Sequence, residues 1–122
     1  MVFKETNMPE QCPPSNAIQQ DVECVYRFIE NDTVQEIDFL NHKERNRTYP
    51  SDRECEAVAL SFFTSTVAAE KSRKRFKSLK GKVLAEGKIT SECGIHETKN
   101  HHLNLWLFEN VNMMKTFTGE ED

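Results

Sequence analysis

Ala57-Val-Ala-Leu-Ser-Phe-Phe63, then Thr64-Ser-Thr66, then a run holding Lys71, Arg73, Lys74, Arg75, Lys77 and Lys80 before Gly81: this order decides the fold. Seven largely apolar residues closed by hydroxyls are too few for a helix and predict a buried strand. Thr66 or Ser65 is placed to cap the helix that follows, because the first N–H groups of a helix lack partners inside it. That helix is expected to reach about residue 79, with Ala68, Ser72, Phe76 and Leu79 as its least polar stripe. Gly81 is suited to end it. Val83–Ile89 then predicts a second strand. A hydroxyl corner between a strand and a helix is also a place where ligands bind, so Ser61, Thr64, Ser65 and Thr66 are candidates for contacting a ribose or a phosphate.

Upstream, Val22–Ile29 alternates, with Val22, Cys24, Tyr26 and Phe28 on one side and Glu23, Val25, Arg27 and Ile29 on the other. Arg27 therefore points with two apolar neighbours, where a guanidinium needs a partner. The partner is either a phosphate-type oxyanion or a carboxylate of Glu23, Glu30 or Glu36. Thr33-Val-Gln-Glu36 has capping-box spacing and predicts a helix over 34–45, while Ser51-Asp-Arg-Glu54 predicts a short helical turn. Cys93-Gly94 is expected to form a turn. Residues 101–108 alternate cleanly, with Leu103, Leu105 and Leu107 facing a core. The expected class is α+β: a single small domain with a mixed or antiparallel sheet and two or three helices. Residues 1–20, holding Pro9, Pro13 and Pro14, are expected as a flexible arm, 21–118 as the globular domain and 119–122 as an acidic tail.

A chain of 122 residues, 37% apolar and 30% charged, suffices for one core. No apolar run approaches the roughly 18 residues of a membrane span, and the N-terminus lacks the profile of a signal peptide. A cytoplasmic location and no membrane partner are the resulting expectations. Cys12, Cys24, Cys55 and Cys93 form no C-x-x-C pair and are expected as free thiols. The net charge of −4 hides segregation, for eight of the 16 basic residues (the six above, Lys82 and Lys88) fall within 71–88. Such a helix suits an acidic protein or a nucleic acid, or is simply a solvated face. Homodimerisation is a further option.

Three other groups carry chemistry. Cys93, His96 and His101 have a spacing like that of zinc ligands, yet adjacent histidines on opposite strand faces do not complete a tetrahedral set, and no metal is expected. His101 or His102 could act as a general acid or base. Trp106, beside Asn104 and Phe108, could stack a planar ring.

Taken in order, Arg27 on a first strand, Leu60-Ser-Phe-Phe-Thr-Ser-Thr66 leading into a helix, and Gly81-Lys-Val-Leu-Ala-Glu-Gly-Lys-Ile89 are similar to the core of the ADP-ribosyltransferase-like fold. The resemblance spans roughly residues 22–109 and implies NAD as substrate. On it, Arg27 holds the pyrophosphate and Ser61 or Thr64 braces the nicotinamide ribose. Glu97 or Glu109 stabilises the cationic ribosyl transition state; His102 as a catalytic candidate and Trp106 as a platform for a base or nicotinamide rest on their own chemistry, not on the resemblance. Fold does not dictate function, and two other readings stand beside this one. One is a non-enzymatic interaction protein, of phage or mobile-element type, that binds an acidic partner through its basic helix. The other is an RNA- or DNA-binding accessory using residues 71–88 and Trp106.

Overall fold

Alternation along Val22–Ile29 sends Val25 and Ile29 inward and makes this segment strand β1. The strands that follow are β2 (Leu60–Phe63), β3 (Val83–Ile89), β4 (Gly94–Lys99) and β5 (His102–Leu107). The computed structural model describes residues 2–119, and in it these strands form one antiparallel sheet of order β3-β1-β2-β5-β4. Three α-helices accompany the sheet: α1 (Glu54–Ala57), α2 (Thr66–Arg75) and α3 (Met113–Thr118). The class is α+β, and the antiparallel alternative is the one observed. Met1 and the acidic ending Glu120, Glu121 and Asp122 lie outside the described residues. No helix among the described residues is long and apolar enough to cross a membrane.

The three leucines of β5 face the core as expected, joined by Val25, Leu60, Phe62 and Ile89. Phe39 and the α3 residues Met113 and Phe117 close it, with the Phe117 ring 5.5 Å from Phe39 and 6.0 Å from Phe62. Each of Leu103, Leu105, Phe62 and Phe117 is at most 1% exposed, a burial that contributes about 1.5–3 kcal/mol per side chain. Helix α3 comes close to the sheet at Gly87, where a Cβ would lie 2.5 Å from Phe117.

A second cluster covers the opposite sheet face at one end: Trp106, Val58 and Ala59, with Phe3, Met8, Cys12, Ala17, Cys55 and Ile95 against them. Cys12 and Cys55 are joined in a disulfide, which corrects the expectation of four free thiols. Cys24 and Cys93 remain free. The N-terminal arm, expected to be flexible, is held along the sheet by this bridge and by the pairings Phe3↔Phe108 and Ile18↔His96. Ion pairs Lys4–Glu44 (2.9 Å) and Lys43–Glu5 (3.3 Å) tie it further.

Several elements depart from expectation for local reasons. The helix predicted over 34–45 is only a 3-10 turn, Glu36–Phe39. The buried Asp38 carboxylate accepts from the backbone N–H groups of Gln35 and Glu30, closing the turn on itself, and Leu40 is extended. The strand expected from Ala57 starts at Leu60, because Ala57 completes α1. Ser65, rather than Thr66, caps α2 by accepting from the Ala68 N–H. That helix stops at Arg75, where Phe76 turns extended, and a 3-10 turn at Lys77–Leu79 leads to Gly81 at φ 81°. Gly94, expected in a turn, opens β4. A two-residue turn, Asn100-His101 with both φ positive, joins β4 to β5.

Candidate functional site

Arg27 leans to the core side of β1, as its alternation predicted, but its partners are main-chain carbonyls. Nε donates to Asp38 O (2.8 Å) and Nη1 to Ser61 O (2.6 Å), and the guanidinium lies 5.4 Å from the Phe62 ring centre and 5.9 Å from that of Phe39. Between β1 and β2 a single pair, Tyr26↔Phe63, is in register. The Arg27 side chain thus bonds the two strands where their ladder is sparse. Burial first, then the charges of Arg45 and Arg47, pull this guanidinium down to about 10, with Asp38 opposing, so it stays charged at neutral pH.

Ser61 alternates with the core-facing Phe62, so its hydroxyl projects from the other side of the sheet and shares a hydrogen bond with His102 Nε2. Thr64 Oγ1 and His101 Nδ1 are 3.1 Å apart beside it. Ser61, Asn104 and Glu97 pair across three adjacent strands and share this face. Burial lowers the His102 imidazole below its ordinary value, only partly offset by Glu56, so the ring is neutral near pH 7. The structure therefore gathers Ser61, Thr64, His101 and His102 with Glu97 on their face, and sets the Arg27 guanidinium on the opposite side. Arg27 and the hydroxyls therefore do not share one cleft, as a common hold on NAD would require. Glu109 is exposed beyond the far end of β5. Trp106, expected as a stacking platform, is 2% exposed and donates its Nε1–H to Cys55 O (2.9 Å), which leaves no free ring face.

The zinc-like spacing is dispersed as well. Cys93 donates to Thr90 O, the His96 ring contacts Gln20 O at 2.9 Å, and among the described residues no three His, Cys, Asp or Glu side chains are placed to hold a metal ion. Two depressions, of about 210 and 470 Å³, lie under the N-terminal arm and beside α3.

The basic segment forms a surface. Lys71, Lys74, Lys77 and Lys80 are exposed and form no ion pair among the described residues. Arg73 is its structural anchor: Nε meets Glu70 at 2.7 Å, Nη1 donates to Lys82 O at 2.6 Å, and the guanidinium lies 4.7 Å from the Phe28 ring centre. Lys82 in turn reaches Glu30 Oε1 at 3.0 Å, the oxygen that Arg45 Nη1 approaches to 3.8 Å. Lys82, then Arg45 and Arg47, hold the Glu30 carboxyl below the usual range. Burial followed by Arg47, Arg27, Arg45 and Lys82 lowers the His42 imidazole. Basic side chains thus run from α2 over Lys82 to the turn at 41–47, with Glu70 and Glu30 set among them. Sequence reasoning missed the part played by His42, Arg45 and Arg47; the two arginines flanking Asn46 in a polar stretch were its only signal. Compared with known proteins, the chain matches no family model, no curated protein and no solved structure.

Proposed function

We propose that this chain is a non-enzymatic interaction domain that binds an acidic partner through α2 and the basic turn beside it. One observation carries the reading: Lys71, Lys74, Lys77 and Lys80 stand exposed without counter-ions among the described residues, on a chain whose net charge is −4. Protein surfaces usually intersperse the two signs, and a segregated positive field raises the local concentration of anions and speeds their encounter.

The nucleotide reading, with NAD as ligand and ADP-ribosyl transfer as chemistry, has less support. A pyrophosphate at Arg27 would have to displace the carbonyls of Asp38 and Ser61, and the Ser61 hydroxyl faces away from it. The cytoplasmic expectation also sits poorly with the Cys12–Cys55 bridge, and we place the domain in an oxidising compartment.

Titration with polyglutamate, single-stranded RNA and heparin at low salt tests the reading. At least one should bind with an affinity that falls steeply as salt rises, and Lys74→Glu with Lys77→Glu should weaken it about tenfold or more. No binding to any of the three, or binding the double variant leaves unchanged, overturns the proposal. Saturable NAD binding lost in Arg27→Ala would favour the nucleotide reading instead.

A further inference from the structure

Beside α2 the basic surface has a built corner. The turn at 41–47 is closed by reciprocal bonds, Asn41 N to Glu44 Oε1 (3.0 Å) and Glu44 N to Asn41 Oδ1 (2.8 Å). Asn41 Nδ2 fastens it to Val58 O at 3.0 Å, and Asn46 ends it at φ 57°. From this turn Arg45 is aimed by two carbonyls, Leu40 O (3.0 Å) and Ile37 O (2.6 Å), which leaves Nη1 toward Glu30. Lys82 points at the same carboxylate oxygen from β3's approach. The side chains of Arg45 and Lys82 are only 19% and 18% exposed, so their charges are screened less than those of free surface groups. Arg47 is exposed, forms no ion pair among the described residues, and lies near enough to act on both Glu30 and His42. Two cations, Arg45 and Lys82, therefore meet one carboxylate that is itself 44% exposed, and Arg47, whose N–H bonds His42 O at 2.9 Å, stands in the same turn as Arg45.

We infer that the acidic partner is a sulfated polysaccharide, with one sulfate seated among Arg45, Arg47, Lys82 and His42 while the chain continues along the lysines of α2. This rests on the basic-surface reading above. The corner already holds one carboxylate, that of Glu30, at its half-exposed edge, and an incoming sulfate would share Lys82 and Arg45 with it. A sulfate ester offers three oxygens to a planar guanidinium and its neighbours, where a carboxylate offers two. The link from Arg73 to Lys82 joins corner and helix into one track, which suits a flexible polymer carrying an anionic group at each repeat. Nucleic acid fits less well. Single strands bind on free aromatic faces, whereas Phe76, the exposed ring of the α2 surface, carries Arg75 over it at 5.3 Å, and Trp106 is buried. The disulfide points away from the reducing cytosol and nucleus, where nucleic acids are concentrated.

The test is calorimetric titration of the full chain with a heparin-derived hexasaccharide, its desulfated counterpart, single-stranded RNA and polyglutamate. The sulfated sugar should bind about tenfold or more tighter than the other three, and Arg47→Ser with His42→Gln should weaken it several-fold while circular dichroism stays unchanged. Equal or tighter binding of RNA or polyglutamate overturns the glycan assignment and leaves the basic-surface reading standing. Failure of all four to bind overturns both. Tight sulfated-sugar binding that ignores the Arg47 and His42 changes removes the corner from the site.

Discussion

The Arg27 guanidinium bonds a carbonyl on β2 and another in the Glu36–Phe39 turn, so its loss strands two acceptors in a half-buried place. Arg27→Met should cost about 2–3 kcal/mol of stability, the penalty for unpaired buried polar groups, read from urea unfolding. A variant as stable as the parent would show that these bonds contribute nothing. Alternation along β1 was enough to place this arginine inward; its partners were not legible, because residues 38 and 61 reach it only once the chain has folded. A second effect at this scale is a proton linkage. Burial lowers the His102 imidazole, so as pH falls the unfolded chain takes up the proton first. Stability is then fully present above about pH 6.5, the unfolded value, and declines as pH drops toward the lower native one. Melting temperatures at pH 7.5 and 5.5 should differ, and His102→Gln should narrow the gap; an unaltered gap would assign the linkage elsewhere.

Elements were legible where one physical signal dominated. β1 and the leucine strand β5 follow from period-2 patterning, and α2 from hydroxyls ahead of a run of good helix formers. β4 was missed because its residues, Gly94-Ile-His-Glu-Thr-Lys99, place polar groups on both faces, and its turn uses Asn100-His101 instead of the usual Asn-Gly. α3 is six residues long, too short for periodicity to register, although Asn112 and Gly119 cap it at its two ends. Its seating depends on Gly87 in β3. Gly87→Val would drive a side chain into Phe117 and should destabilise the fold by about 1–3 kcal/mol, with lost near-ultraviolet dichroism as the aromatic core loosens. Unchanged melting would mean α3 relocates freely.

At the scale of the whole molecule, two features arise from long-range contacts that spacing along the chain does not encode. One is the linking of α2, Lys82 and the turn at 41–47, through the Lys82 carbonyl and the Glu30 carboxylate, into a run of basic side chains. The other is the bridge between Cys12 and Cys55, 43 positions apart, which fastens the arm beside Trp106. Replacing both cysteines with serine should lower stability by about 2–4 kcal/mol, the usual effect of releasing a loop of that size, measured by thermal unfolding with and without reductant. An equal melting point in all four samples would deny the bridge a stabilising role. The arm also does something beyond holding itself down. Ile18 and His96 exchange both main-chain bonds at 2.8 Å, which occupies part of the outer margin of β4. Unclipped, that margin would offer its spare amides and carbonyls to a second molecule, so the covalent clasp doubles as a guard against strand-by-strand clumping.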